Sequence, residues 1–301
     1  LDLSSCPGLT DLRPLAPPTK LPTLFLSNCG GVEDISPLAS LVQLRTLRLN
    51  DCDRLADLAP LARLARLAVL GLSHCERLTD LRPLAGLAEL RDLSLSTCGE
   101  VSDLTPLAGL GNLRELYLHG CPAIRDLSPL AGLQKLTDID LSRNQWLGDL
   151  SPLGKLRALV NVDLRYCENV SDLGPLASVP ALWSMKLIRC GKVRDLAPLA
   201  GQNALGVLDL EGCEGVTSLG PLAGKRSLLS LDLSGCSNLT HIAALATLSR
   251  LTSLCLSSQL LTDLRPLAAI PNLESLDIEK GGGIKDLTPL TRLPKLRSLS
   301  L

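Results

Sequence analysis

The chain has 301 residues, 77 of them leucine, with aromatics at 2% and 30 Lys+Arg against 31 Asp+Glu. The resulting net charge of −1 argues against a nucleic-acid or anionic-membrane protein held by bulk charge. No apolar run approaches the roughly 18–20 residues of a membrane span, and three His with one Met leave little material for a histidine-based metal site.

The chain opens directly on a repeating unit. Leu1 and Leu3 flank Asp2, Cys6 follows, and Asp11-Leu-Arg-Pro14-Leu-Ala completes the first copy. Further copies begin at Leu24, Leu47, Leu70, Leu93, Leu116, Ile139, Val162, Met185, Leu208, Leu231, Leu254 and Leu276, and another starts at Leu299. Ten cysteines keep the same beat: Cys6, Cys29, Cys52, Cys75, Cys98, Cys121, Cys167, Cys190, Cys213 and Cys236. Asn144 fills the skipped beat, Gln259 and Gly281 take the last two, and Cys255 lies off it. The consensus is LxLxxCxxLxDLxPLAxLxxLxx.

Each part of that unit predicts a local structure. LxL alternates with period two, so it predicts a short strand with both leucines pointing inward. Strands of successive copies stack in parallel about 4.8 Å apart. Pro14, Pro37, Pro60 and their equivalents open the second half, where a preset φ and a missing N–H suit a first helical position. The remaining LAxLxxL is too short for more than a helical turn or a 3-10 piece. One coil cannot bury its leucines alone, so stability comes from stacking. A coil of fixed width repeats well with Leu and poorly with Trp, which accounts for the few aromatics.

The segment LxxLxLxxC/NxL resembles the leucine-rich-repeat signature along the whole chain. The DLxPLAxL half resembles bacterial internalin-type repeats, which usually carry Asn where this chain has Cys. The GCxxLTDLxPLA flavour also resembles leucine-rich proteins of kinetoplastid protozoa, including adenylate-cyclase-regulator-like ones. The resemblance implies an α/β leucine-rich-repeat solenoid of about 13 repeats. It would be one curved domain over 1–301, with a concave parallel sheet and short helical or 3-10 convex segments. It implies a recognition scaffold, not an enzyme, with no cofactor. A start and stop inside a repeat point to a piece of a longer chain.

Two further columns run through the repeats. Asp11, Asp34, Asp57, Asp80, Asp103, Asp126, Asp149, Asp172, Asp195, Asp263 and Asp286 form one, interrupted by Ser218 and His241. Each Asp is expected to accept turn N–H groups rather than a cation. The cysteines form the other. Parallel side chains on a ladder suit bridging poorly, and there is no CxxC pair, so the expectation is free, buried, inert thiols. Ten such thiols fit a reducing compartment, hence the cytoplasm. His74 precedes Cys75 directly, so on a strand the two would face opposite sides and form no dyad. The last third is less regular: Thr240-His241-Ile-Ala-Ala244 loses both Asp and Pro, and a Gly281-Gly-Gly run follows.

No GxSxG, GxxxxGK[ST], HExxH or EF-hand loop is present. The site is therefore sought on the concave face, where repeats six to nine gather distinctive side chains. The candidate partner-binding residues are Arg114, Tyr117, His119, Asp140, Arg143, Asp163, Arg165, Tyr166, Trp183, Lys186 and Arg189. Both tyrosines and one of two tryptophans fall in this window, and aromatics with Arg anchor protein interfaces. Trp146 lies off the face as a local plug. The expected function is a protein–protein scaffold, as an intracellular adaptor or structural subunit of an assembly, with other subunits covering the bare ends. Two alternatives stand beside it. One is a secreted or surface receptor-binding protein of internalin type. The other is a recognition or regulatory module of a ligase or cyclase system.

Overall fold

The computed structural model describes residues 1–16, 20–257, 262–279 and 283–301. The ladder beats at Gln259 and Gly281 lie outside these described residues. The chain divides into two compact units, 1–144 and 145–301.

In the first unit, β1 (Thr23–Phe25), β2 (Thr46–Arg48), β3 (Val69–Gly71), β4 (Asp92–Ser94), β5 (Glu115–Tyr117) and β6 (Asp138–Asp140) pair in parallel, each with the next in sequence. The register is the repeat itself: Leu24 opposes Leu47 and Leu93 opposes Leu116. The first coil contributes only a bridge, Asp2 to Phe25, in place of a full strand. Between strands the chain crosses back through 3-10 turns such as Ser36–Ser40 and Ala59–Arg63. Of the helical turn and the 3-10 piece that the short LAxLxx allows, the described residues form the 3-10 piece.

Proline stands in the first two positions of nearly every such turn, and the Asp column explains how the turn begins. Asp34 Oδ1 accepts the N–H of Ser36 at 2.8 Å, and Asp103 Oδ1 that of Thr105 at 2.8 Å. Where Asp is lost, Ser218 Oγ accepts the N–H of Gly220 at 3.2 Å. The column thus satisfies donors that a turn start leaves open, as the sequence predicts.

The second unit repeats the plan with β7 (Asn161–Asp163), β8 (Ser184–Lys186), β9 (Val207–Asp209), β10 (Ser230–Leu233), β11 (Ser253–Ser257), β12 (Ser275–Glu279) and β13 (Ser298–Ser300). Leu70, Leu93, Leu116, Met185 and Leu187 are fully buried, as are most leucines of both units. One core column is broken. Leu133, Leu156 and Val179 are followed by Gln202 and Lys225 before Leu248 resumes it, and the two polar residues are 2% and 5% exposed. Lys225 Nζ donates to the carbonyls of Gln202 at 2.8 Å and Ala200 at 3.2 Å, so this buried cation faces carbonyl dipoles and no carboxylate.

Candidate functional site

The cysteine ladder lies inside the coils. Cys29, Cys52, Cys75, Cys98 and Cys121 are fully buried and free in the first unit, as are Cys167, Cys190, Cys213 and Cys236 in the second. Each thiol that bridges coils donates to a carbonyl 26 residues back: Cys52 Sγ to Leu26 O at 3.4 Å, Cys98 to Leu72 O at 3.1 Å, Cys213 to Leu187 O at 3.1 Å. Burial pushes the thiols up, Cys52 to about 11 and Cys98, Cys190 and Cys236 to about 12. Such thiols are neither nucleophiles nor ready metal ligands at neutral pH. Among the described residues no group of three His, Cys, Asp or Glu could hold a metal ion. At the skipped beat Asn144 does more than a thiol can. Its Nδ2 donates to Leu118 O at 2.9 Å and Leu141 O at 2.8 Å, and its Oδ1 accepts the Cys121 N–H at 2.9 Å.

Four of the candidate residues lie on or beside the strands of the first unit. Tyr117, at the end of β5, donates its hydroxyl to Glu115 Oε2 at 2.7 Å, and that bond with partial burial raises the phenol well above its ordinary value. Asp140 stands beside Tyr117 on β6. Arg114 precedes β5 and is exposed, and His119 follows it. His119 Nδ1 lies 2.7 Å from Ser142 Oγ, which in turn bonds to Asp140 Oδ1. The set holds Ser, His and Asp, but the serine sits in the middle and is 1% exposed. A nucleophilic triad needs the histidine between serine and carboxylate, with the serine open to substrate. This arrangement orients His119 instead.

In the second unit Asp163 accepts Arg165 Nε at 2.8 Å and Arg165 Nη2 at 2.8 Å, with Lys186 Nζ 4.0 Å away. Trp183 precedes β8 and is 39% exposed. Arg143, Tyr166 and Arg189 differ from their predicted placement. They lie with φ near +60° in the turn just before the ladder position, not on the extended strand. His74 occupies the same turn, φ 59°, so its separation from Cys75 is set by the turn. The column shares this left-handed conformation with Asn28, Asp51, Thr97 and Gly120. An LxLxx spacing reads as continued strand, and nothing in Arg or Tyr announces a positive φ. Trp146 is half-buried in a turn, away from the strands.

A family model described as "Leucine Rich repeats (2 copies)" matches residues 111–155. An internalin, InlF, from Listeria monocytogenes superposes with a TM-score of 0.67 at 25% identity, over 97% of this chain and 77% of that one. The functional domain of InlJ from the same organism, described as including a cysteine ladder, gives a TM-score of 0.64 at 18% identity, over 98% and 70%. The chain is similar to leucine-rich-repeat proteins, the internalin type among them. A leucine-rich-repeat protein of Leptospira interrogans shares the fold with a TM-score of 0.87 at 20% identity, over 100% of this chain and 77% of that one. No curated relative matches the chain at a significant level. Leucine-rich repeats are typically protein-interaction modules. No described helix is long and apolar enough to cross a membrane.

Sequence reasoning passed over two groups. Asp209, Asp232 and Asp277 occupy the same row as Lys186, a placement the repeat gives, but lie beyond the aromatic window that defines the candidate site. Gln202 and Lys225 were visible as polar letters in a leucine column.

Proposed function

We propose that the chain is a non-catalytic protein–protein interaction scaffold that binds partners through the strand faces of its units. The observation that carries this reading is the contrast within each coil. The core positions hold almost invariant Leu and Cys, while the outward positions change from coil to coil and include Tyr117, Asp163, Trp183 and Lys186. A rigid stack presents these at fixed spacing, which lowers the ordering cost of binding. In this reading Arg114, Tyr117, His119, Asp140 and Arg143 act in the first unit, and Asp163, Arg165, Tyr166, Trp183, Lys186 and Arg189 in the second. An intracellular adaptor or assembly subunit fits the free thiols. A secreted or surface receptor-binding role is the second reading, favoured by the likeness to Listeria internalins. Thiols that are fully buried and hard to ionise persist in either compartment, so the ladder supports both. The test is capture of a partner from the native source by the Tyr166→Ala, Trp183→Ala double variant, with far-UV circular dichroism unchanged. Loss of the partner supports the reading, and full retention overturns it for the second unit.

A further inference from the structure

The second unit carries an exposed aromatic on a fitted seat. Gly206 lies beside Trp183 across adjacent coils, and a Cβ at Gly206 would come within 2.4 Å of the indole ring. The missing side chain is what lets the ring lie down over the next coil. Half-exposed Val160 and Leu229 continue this column, one coil before Trp183 and one coil after Gly206. The corresponding positions in the first unit are Pro22, Arg45, Ala68, Arg91, Arg114 and Thr137, three of them charged and none aromatic.

The strand row of the same coils is mostly acidic, and Asp209 and Asp232 each accept only a backbone N–H, from Glu211 at 3.1 Å and Ser234 at 2.8 Å. Asp209, Asp232 and Asp277 share one line across β9, β10 and β12, with Cys255 of β11 between the last two. Glu211 follows in the turn after β9, and Glu279 ends β12. Lys186 is the one base in the row, and Asp163 shares it from the other side. Arg165 is taken by Asp163. Among the described residues no ion pair is formed by Asp209, Glu211, Asp232, Asp277 or Glu279. Asp277 Oδ1 is shielded from solvent and has no hydrogen-bond partner among the described residues. Like charges in one row cost free energy unless something opposite covers them.

Resting on the scaffold reading above, we propose that the strand face of the second unit binds an extended polypeptide segment bearing Arg or Lys, with Trp183 as its aromatic anchor. The spacing suits such a chain. Asp209 to Asp277 is three strand steps, about 14 Å at the usual interstrand distance, and four residues of extended chain cover about the same length. Basic side chains at i, i+2 and i+4 of that segment point the same way, and a guanidinium at its end stacks on the exposed indole.

The test uses the full chain and a fluorescein-labelled nine-residue peptide alternating serine and arginine, with a serine–glutamate peptide as its counterpart. Asp209→Asn, Asp232→Asn and Asp277→Asn together keep the side-chain shape and remove three charges. The control triple, Asp149→Asn, Asp172→Asn and Asp195→Asn, removes three charges from the turn column of the same unit. The face triple should weaken the arginine peptide about tenfold, taking a few tenths to one kcal/mol for each exposed pair. The control should change it less than twofold. Gly206→Ala should weaken it as Trp183→Ala does, and Trp183 emission should shift as the ring leaves its seat. Equal loss in both triples would mean bulk charge alone and would overturn the proposal, as would no binding of the arginine peptide or equal binding of the glutamate peptide. If the peptide fails while the Tyr166, Trp183 double variant still loses its captured partner, this proposal falls and the scaffold reading stands.

Discussion

Asn144→Ala isolates what one ladder position contributes. The side chain is 1% exposed and holds three backbone groups: the carbonyls of Leu118 and Leu141 and the N–H of Cys121. Alanine leaves all three without their side-chain partner inside the coil. At about 1 kcal/mol for each, the expected cost is about 3 kcal/mol. Cys98→Ala removes a single thiol bond to Leu72 O, with a small loss of buried volume, and should cost about 1 kcal/mol. Stacked repeats share stability with their neighbours, so the loss should be local. Native-state hydrogen exchange reads it directly: the Cys121 amide should exchange roughly 100-fold faster in Asn144→Ala. An Asn144→Ala variant no less stable than Cys98→Ala, with Cys121 still protected, would refute the view that the asparagine is a three-point clamp.

Three other outcomes follow from the core. In the folded protein at pH 8, iodoacetamide should label exposed Cys6 first, and all eleven cysteines should titrate as free thiols once denatured. Cys52, Cys98 and Cys236 ionise near 9 when unfolded and at about 11–12 when folded, so their stabilising contribution is complete below pH 9 and is lost as pH climbs through 11–12. A melting temperature that stays level from pH 8 to 11 would contradict this. Lys225→Leu should raise stability by about 1–2 kcal/mol at pH 7, because it removes a buried cation that faces only carbonyls. Burial lowers the Lys225 value below its ordinary 10.5, so the folded state sheds the proton first and the cost of burial falls as pH rises. The advantage of Lys225→Leu should therefore shrink toward pH 10.5, and an advantage that grows with pH would reverse the assignment.

The coil was legible in the sequence because its causes are local and repeated. Leu24 with Leu26, Leu47 with Leu49 and Leu70 with Leu72 keep the period of a strand, Pro37 and Pro60 preset the turns, and Asp34 and Asp57 accept the turn N–H groups. The left-handed turn was not legible at Arg143, Tyr166 and Arg189, since those residue types carry no conformational signal. At Gly120, Gly212 and Gly235 the same turn is marked by glycine, which takes a positive φ at little cost. The His119, Ser142, Asp140 connection required coordinates, because it joins positions 23 residues apart. Trp183 was visible as an aromatic, but its seat depends on Gly206 lying one coil away.

The central claim is that partners meet the strand side of the coils. A photo-reactive p-benzoylphenylalanine placed at Trp183, and separately at Val42, tests it in cells that carry the gene. Val42 is 47% exposed just past a 3-10 turn, away from the strands. The account predicts a discrete cross-linked protein from position 183 and none from position 42. Cross-links from position 42 alone, or the same products from both positions, would contradict it.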